Sequence, residues 1–275
     1  MLNKYNYYVK IILVGDCMKK APIGIIDMNI NNISVLNELS RNFKYENFVY
    51  INDLAQVEYE GLTAEAINER VKKNIEYLLG LNVKLIVVVS NTIIEYCEEY
   101  LKTLKTPIIS IVNTIINYVN KNYEHKNILF MTTHNVMEAN IYQRNFRYNH
   151  LYSAETDELE KIVINKKMKT NKSFAAVEEL LLPYTNKNIN VIIPTTFNML
   201  FLTTEIKEFM PFIDIVDLNG IIIEKISSAL LTLSSEVSRR KGKVLLLINV
   251  PKKHLKINHL LNIKYKIKII INKEK

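Results

Sequence analysis

The 275-residue chain contains no tryptophan, two cysteines, six glycines and six prolines. Each scarcity excludes something. Glycine-rich loops that cradle phosphates need backbone conformations that only glycine tolerates, and neither G-x-G-x-x-G nor G-x-x-x-x-G-K-[ST] occurs. Nucleotide-binding loops of these two kinds are therefore absent. Cys17 and Cys97 stand apart, with no C-x-x-C pair, and His125, His134, His150, His254 and His259 show no ligand spacing. Neither a disulfide framework nor a metal site is expected. Long apolar runs are also missing. The stretch Tyr7–Gly15 is broken by Lys10 and too short to span a bilayer. It has neither the apolar core nor the small-residue cleavage site of an export signal. We therefore expect no membrane partner and a cytoplasmic protein, with residues 1–17 an N-terminal extension ahead of a natural start at Met18.

What is present is a globular composition, 48% hydrophobic and 23% charged. The length allows one large domain or two of middling size. The formal charge of +8 makes the chain basic, with a local excess at Arg240, Lys241, Lys243, Lys252, Lys253 and Lys256. Because basic residues are otherwise dispersed, this reads as a solvated surface and argues against a nucleic-acid partner.

Short apolar runs rich in β-branched residues alternate with amphipathic stretches, which predicts a parallel α/β architecture. Strands are expected at 23–26, 48–52, 84–89, 108–112, 127–131, 191–193, 213–217 and 244–248. Helices are expected at 34–41, 63–79, 174–182 and 220–239, and Thr92-x-x-Glu95 has the spacing of a capping box. Two strand ends echo one another, Val87-Val88-Val89-Ser90-Asn91-Thr92 and Val191-Ile192-Ile193-Pro194-Thr195-Thr196. Ligands of open α/β sheets sit at such carboxyl ends, although Ser, Thr and Asn are also ordinary helix caps.

Several segments in register carry a family resemblance. Ile23-Gly24-Ile25-Ile26-Asp27-Met28-Asn29-Ile30-Asn31-Asn32-Ile33-Ser34-Val35 resembles the I-G-x-x-D-S-G-x-G-G-x-[ST]-V opening of glutamate racemases. Tyr50–Tyr59 is similar to their Y-x-x-D-x-x-x-x-P-Y-G segment, and Ser90-Asn91-Thr92 falls at their C-N-T. Thr106–Val112 resembles I-P-V-[IV]-G-V-[IV], Thr132–Gln143 resembles G-T-x-x-T-x-x-S-x-x-Y, and Pro194-Thr195-Thr196-Phe197 falls at G-C-T-H. The resemblance covers roughly residues 18–270. It implies two Rossmann-like α/β domains with parallel sheets, related by a pseudo-twofold, with the site in the cleft between them. The implied boundaries are 18–113 with 218–275, and 114–217.

The resemblance further implies cofactor-independent interconversion of L- and D-glutamate for peptidoglycan precursors, carried by two thiols on opposite faces of the α-carbon. No cofactor is expected, glutamate is the implied small-molecule ligand, and a homodimer is compatible with it. In this chain Ser90 and Thr195 occupy the two cysteine positions, and Asp27 is the remaining candidate acid–base group. Met28, Tyr59, Glu60, Asn91, Thr92, Thr133, Thr196 and Phe197 fall at substrate-binding positions. Phe197 replaces a histidine and Met28 a serine, and Lys161 aligns with the glutamate of V-P-L-V-E. A thiol has a pKa near 8.5, whereas water lies near 15.7. Raising a base of hydroxyl type therefore costs about 10 kcal/mol more than raising a thiolate. The expectation is an impaired or inactive family member. The alternatives are a binding or interaction protein on the racemase scaffold, or an isomerase of diverged substrate.

Overall fold

A computed structural model describes residues 21–28, 30–52, 63–233, 240–248 and 257–269. The expected extension 1–17, Tyr59, Glu60 and Lys252, Lys253 and Lys256 lie outside the described residues. The order of elements begins β1 (Ile23–Asp27), α1 (Val35–Asn42), β2 (Phe48–Asn52), α2 (Ala64–Gly80), β3 (Leu85–Val88), α3 (Asn91–Lys102), β4 (Ile108–Ser110) and α4 (Ile111–Asn122). It continues β5 (Asn127–Thr132), α5 (His134–Ala139), α6 (Ile141–Asn145), β6 (His150–Glu155), α7 (Asp157–Ile164), α8 (Asn171–Leu181) and β7 (Val191–Pro194). A 3-10 segment (Phe197–Leu202) then leads into α9 (Thr203–Phe209), β8 (Asp214–Ile215), α10 (Leu218–Thr232), β9 (Val244–Ile248) and β10 (Lys266–Ile269).

These strands form two sheets in which every described pairing is parallel. The first has the order β10-β9-β2-β1-β3-β4 and the second β6-β5-β7-β8. The α/β fold class expected from the sequence is the one observed. Its cause is visible in the central strands: β1, β2 and β3 are buried at every position. A strand covered by helices on both faces has no polar side, so it reads as a continuous apolar run. In α2 the buried residues Ile67, Val71, Ile75 and Leu78 recur on one stripe, and the Thr63 hydroxyl caps the helix by accepting from the Ala66 N–H at 3.3 Å.

Three local expectations are corrected. The strand expected at 108–112 ends at Ser110, whose Oγ accepts from the Asn113 N–H at 3.2 Å and starts α4. Ile111 and Val112 are thus the first turn of a helix, despite their β-branching. The cap of α3 is Ser90 rather than Thr92, through a 3.4 Å contact from the Ile93 N–H. The helix expected at 220–239 begins at Leu218, capped by Asp217, and its described part ends at Thr232. Among the described residues no helix is long and apolar enough to cross a membrane.

The C-terminal strands are locked to the first sheet at Gly242. Its N–H donates to the Lys44 carbonyl at 2.8 Å, and a Cβ there would lie 1.7 Å from the Glu46 carbonyl oxygen. Backbone faces backbone at this point, and no rotamer change can relieve a clash. Gly242→Ala is expected to destabilise the protein by more than about 3 kcal/mol. Urea unfolding measures it, and an unchanged midpoint would contradict the packing.

Candidate functional site

The carboxyl ends of β1 and β3 face those of β5 and β7. Asp27, the last residue of β1, is fully buried and held by several donors. Its Oδ1 accepts from the Met28 N–H at 2.8 Å and from Asn32 Nδ2 at 3.4 Å, and its Oδ2 accepts from the Tyr50 hydroxyl at 2.7 Å. Burial pushes the Tyr50 pKa well up, and the adjacent Asp27 charge pushes it further. The phenol therefore stays protonated and donates. Met28 is buried beside Asp27 and makes this floor apolar.

Asn91 joins the two sheets. Its Nδ2 donates to the Thr195 carbonyl at 3.4 Å, and its Oδ1 accepts from the Tyr142 hydroxyl at 2.6 Å. Two more bonds cross the same seam, from the Phe197 N–H to Asn32 Oδ1 at 3.3 Å and from the Asn198 N–H to the Asn31 carbonyl at 3.0 Å. Phe197 is buried in the seam.

Ser90 and Thr195, expected at the family's cysteine positions, serve the backbone or a neighbouring strand. Ser90 is buried and caps α3. Thr195 is buried at the end of β7, with Oγ1 at 2.8 Å from Thr132 Oγ1 and 3.3 Å from the Met131 carbonyl. A hydroxyl carries one proton, so its donor is consumed here. Thr92 and Thr133 are half-buried at the starts of α3 and α5, and the Thr133 side chain makes no capping bond. The structure thus brings Asp27, Met28, Ser90, Asn91, Thr195, Thr196 and Phe197 to the facing strand ends.

Glu160 is the residue that sequence reading missed. It lies on α7, 4% exposed, with Oε1 accepting from the Thr196 hydroxyl and Oε2 accepting from Asn198 Nδ2 at 3.0 Å. Lys161, aligned with the family glutamate, instead points outward and pairs with Glu158 at 2.6 Å. One helical residue is a turn of about 100°, which separates the two positions completely. The signal was available, because Leu159, Ile162 and Val163 share the buried face with Glu160. Burial drives the Glu160 pKa up to about 8. The bonds from Thr196 and Asn198 oppose the rise, and the charges of Asp157 and Asp27 add to it.

No protein-family model matches the chain. Its sequence is similar to curated glutamate racemases. It is 30% identical over 131 residues to that of Streptococcus thermophilus, covering 47% of this chain and 48% of the relative. It is 25% identical over 210 residues to that of Hydrogenobaculum sp., covering 75% and 81%. The alignment spans about half the length of the first of these relatives. Among solved structures, the glutamate racemase of Thermus thermophilus in complex with β-chloro-D-alanine superposes with a TM-score of 0.81 at 19% identity, covering 92% of this chain and 98% of that one. That of Francisella tularensis in complex with D-glutamate gives 0.76 at 16%, with the same coverage. These likenesses establish a shared fold.

Two predictions belong to this geometry. An unfolded glutamate titrates near 4.3, and Glu160 titrates near 8 in the fold. The folded state therefore binds the proton more tightly, its contribution is fully present below about pH 4, and it is lost as pH rises through 8. Glu160→Gln is expected to flatten stability between about pH 5 and 9 and to raise it at pH 9 by a few kcal/mol. Melting temperature against pH, for both proteins, checks this. Tyr142→Phe leaves the buried Asn91 Oδ1 without its donor, and about 1–3 kcal/mol should be lost in denaturant unfolding.

Proposed function

We infer that this chain, which belongs to the glutamate racemase family, keeps the racemase scaffold and a small-molecule site without the two-thiol chemistry. The observation that carries this reading is the state of the two positions aligned with cysteine. Ser90 Oγ caps a helix and Thr195 Oγ1 bonds across a strand end. Neither is placed as a relay to a base, and the side chain beside Thr195 and Thr196 is the apolar Phe197. An unassisted hydroxyl has about 10 kcal/mol to make up on a thiol, far more than proton transfer to a positioned side chain supplies.

The ligand proposed for the site is an amino acid of the size of glutamate, because the relative from Francisella tularensis holds D-glutamate on this fold. The backbone N–H groups opening α3 are suited to a carboxylate. Asp27 provides a carboxyl acceptor for an ammonium group.

A second reading is favoured by one observation. The Glu160 pKa near 8 is matched to proton transfer at neutral pH, and Asp27 is buried near enough to act on it electrostatically. An isomerase of diverged substrate would use Glu160 as its proton-transfer group, with Asp27 beside it.

The test is α-proton exchange of L- and D-glutamate in deuterated water, followed by NMR. The expected result is no exchange with the natural chain and measurable exchange with Ser90→Cys/Thr195→Cys/Phe197→His. Exchange by the natural chain that disappears in Glu160→Gln would replace this reading with the second. Exchange that survives Glu160→Gln but falls in Ser90→Ala or Thr195→Ala would return the hydroxyls to chemistry.

A further inference from the structure

The strongest unassigned feature lies at the opposite end of the first sheet, on the amino-terminal side of β2, β9 and β10. A groove of about 870 Å³ opens there, lined by Arg41, Lys44, Lys241, Lys243, Lys264 and Lys266. The six cations come from three segments far apart in sequence: the last turn of α1 and the residue after next, the approach to β9, and the approach to and start of β10. The fold, rather than a local run, gathers them. That is why the dispersed charge of the sequence read as ordinary solvated surface.

The gathering is held in place. Gly242 N–H donates to the Lys44 carbonyl at 2.8 Å, Lys243 N–H donates to Asn47 Oδ1 at 3.0 Å, and the Lys243 carbonyl accepts from the Phe48 N–H at 2.9 Å. The third segment is tied to α1 by Asn37, whose Nδ2 donates to the Leu260 carbonyl at 2.7 Å and whose Oδ1 accepts from the Asn262 N–H at 2.9 Å. Nearby carboxylates neutralise little of the charge. Glu38 takes Arg41 at 2.6 Å, and Glu46 is turned to Lys84 at 2.6 Å. Lys44, Lys241, Lys264 and Lys266 have no carboxylate partner among the described residues. Like charges fixed around one concavity repel, and an anionic occupant relieves that repulsion.

We propose that this groove binds the sugar–phosphate backbone of single-stranded nucleic acid, without sequence preference. Five of the six cations are lysines, which act as mobile point charges on phosphate rather than as bidentate readers of base edges. No glycine-rich loop contributes, so the groove is not built around one mononucleotide. It is concave, which suits a flexible strand more than a flat bilayer. Tyr265 lines it as an aromatic surface, its hydroxyl anchored on Asn258 at 2.8 Å. Basic grooves with an aromatic wall are the recurring form of single-strand sites.

The experiment is fluorescence anisotropy of labelled oligo(dT) titrated with the full chain between about 50 and 200 mM salt. Binding in the micromolar range at low salt is expected, with a log–log salt slope of about −3.5 to −4 for five or six contacts at about 0.7 each. Lys241→Glu/Lys264→Glu should weaken binding at least tenfold at low salt and reduce the slope by about 1.4. Lys172→Glu, on α8 of the other sheet, should change neither. If the glutamate pair lowers the melting temperature, Lys241→Gln/Lys264→Gln should still reduce the slope. Absence of binding at low salt overturns the proposal, as does equal weakening by Lys172→Glu. Tighter binding to a duplex of the same length, or to phosphatidylserine vesicles, also overturns it.

Discussion

Asn91 carries the constraint on which the arrangement of the site depends. Its amide donates to the Thr195 carbonyl of one sheet while accepting from Tyr142, and it opens a helix of the other. A buried amide with both ends engaged fixes distance and rotation together, because a slip of either sheet would strand a donor or an acceptor away from water. Each such loss costs about 1–3 kcal/mol. With the bonds from Phe197 and Asn198 to the loop after β1, the seam is stitched by main-chain and side-chain polar groups. Apolar packing alone tolerates sliding, whereas these bonds do not.

That constraint explains why two carboxyl groups can be buried nearby. Asp27 is tolerable because Tyr50, Asn32 and the Met28 N–H surround it with donors. Among the described residues Glu160 has two neutral donors, Thr196 and Asn198, and burial outweighs them. The difference between the two sites is therefore one of donor count rather than depth. A carboxylate with several donors remains charged at little cost, and one with few retains its proton.

Much of this architecture was legible in the sequence because its signals are redundant. β9 is apolar along its whole length and β2 up to Asn52, and no competing pattern fits them. The errors arose where one polar atom outvoted a propensity. Ser110 caps α4 and converts Ile111 and Val112 from strand to helix. Ser90 does the same two residues ahead of the capping pattern at Thr92. α5 and α6 are divided by Asn140, whose left-handed backbone, φ 59°, leaves fragments too short for periodicity to reveal. Glu160 escaped notice because an alignment of weakly similar segments can shift by one residue. On a helix such a shift exchanges a buried face for a solvated one. The burial pattern Leu159, Glu160, Ile162, Val163 was the better guide.

The side chains expected as replacements at the strand ends follow a stability logic. A cysteine after β3 is a poor helix cap, whereas serine there satisfies an N–H that α3 would otherwise leave open, worth about 1 kcal/mol. Threonine after β7 gains a hydroxyl contact with Thr132 that a thiol makes more weakly. Phe197 fills a buried position with apolar volume in place of an imidazole that would need polar partners. Each of these side chains is satisfied locally, by its cap, its hydroxyl contact or its apolar packing. Glu160 is the exception. It remains a buried, costly carboxyl at the same seam, and stability alone would favour glutamine there. Its two oxygens are engaged by Thr196 and Asn198, which belong to the segment that also bonds across the seam to Asn31 and Asn32.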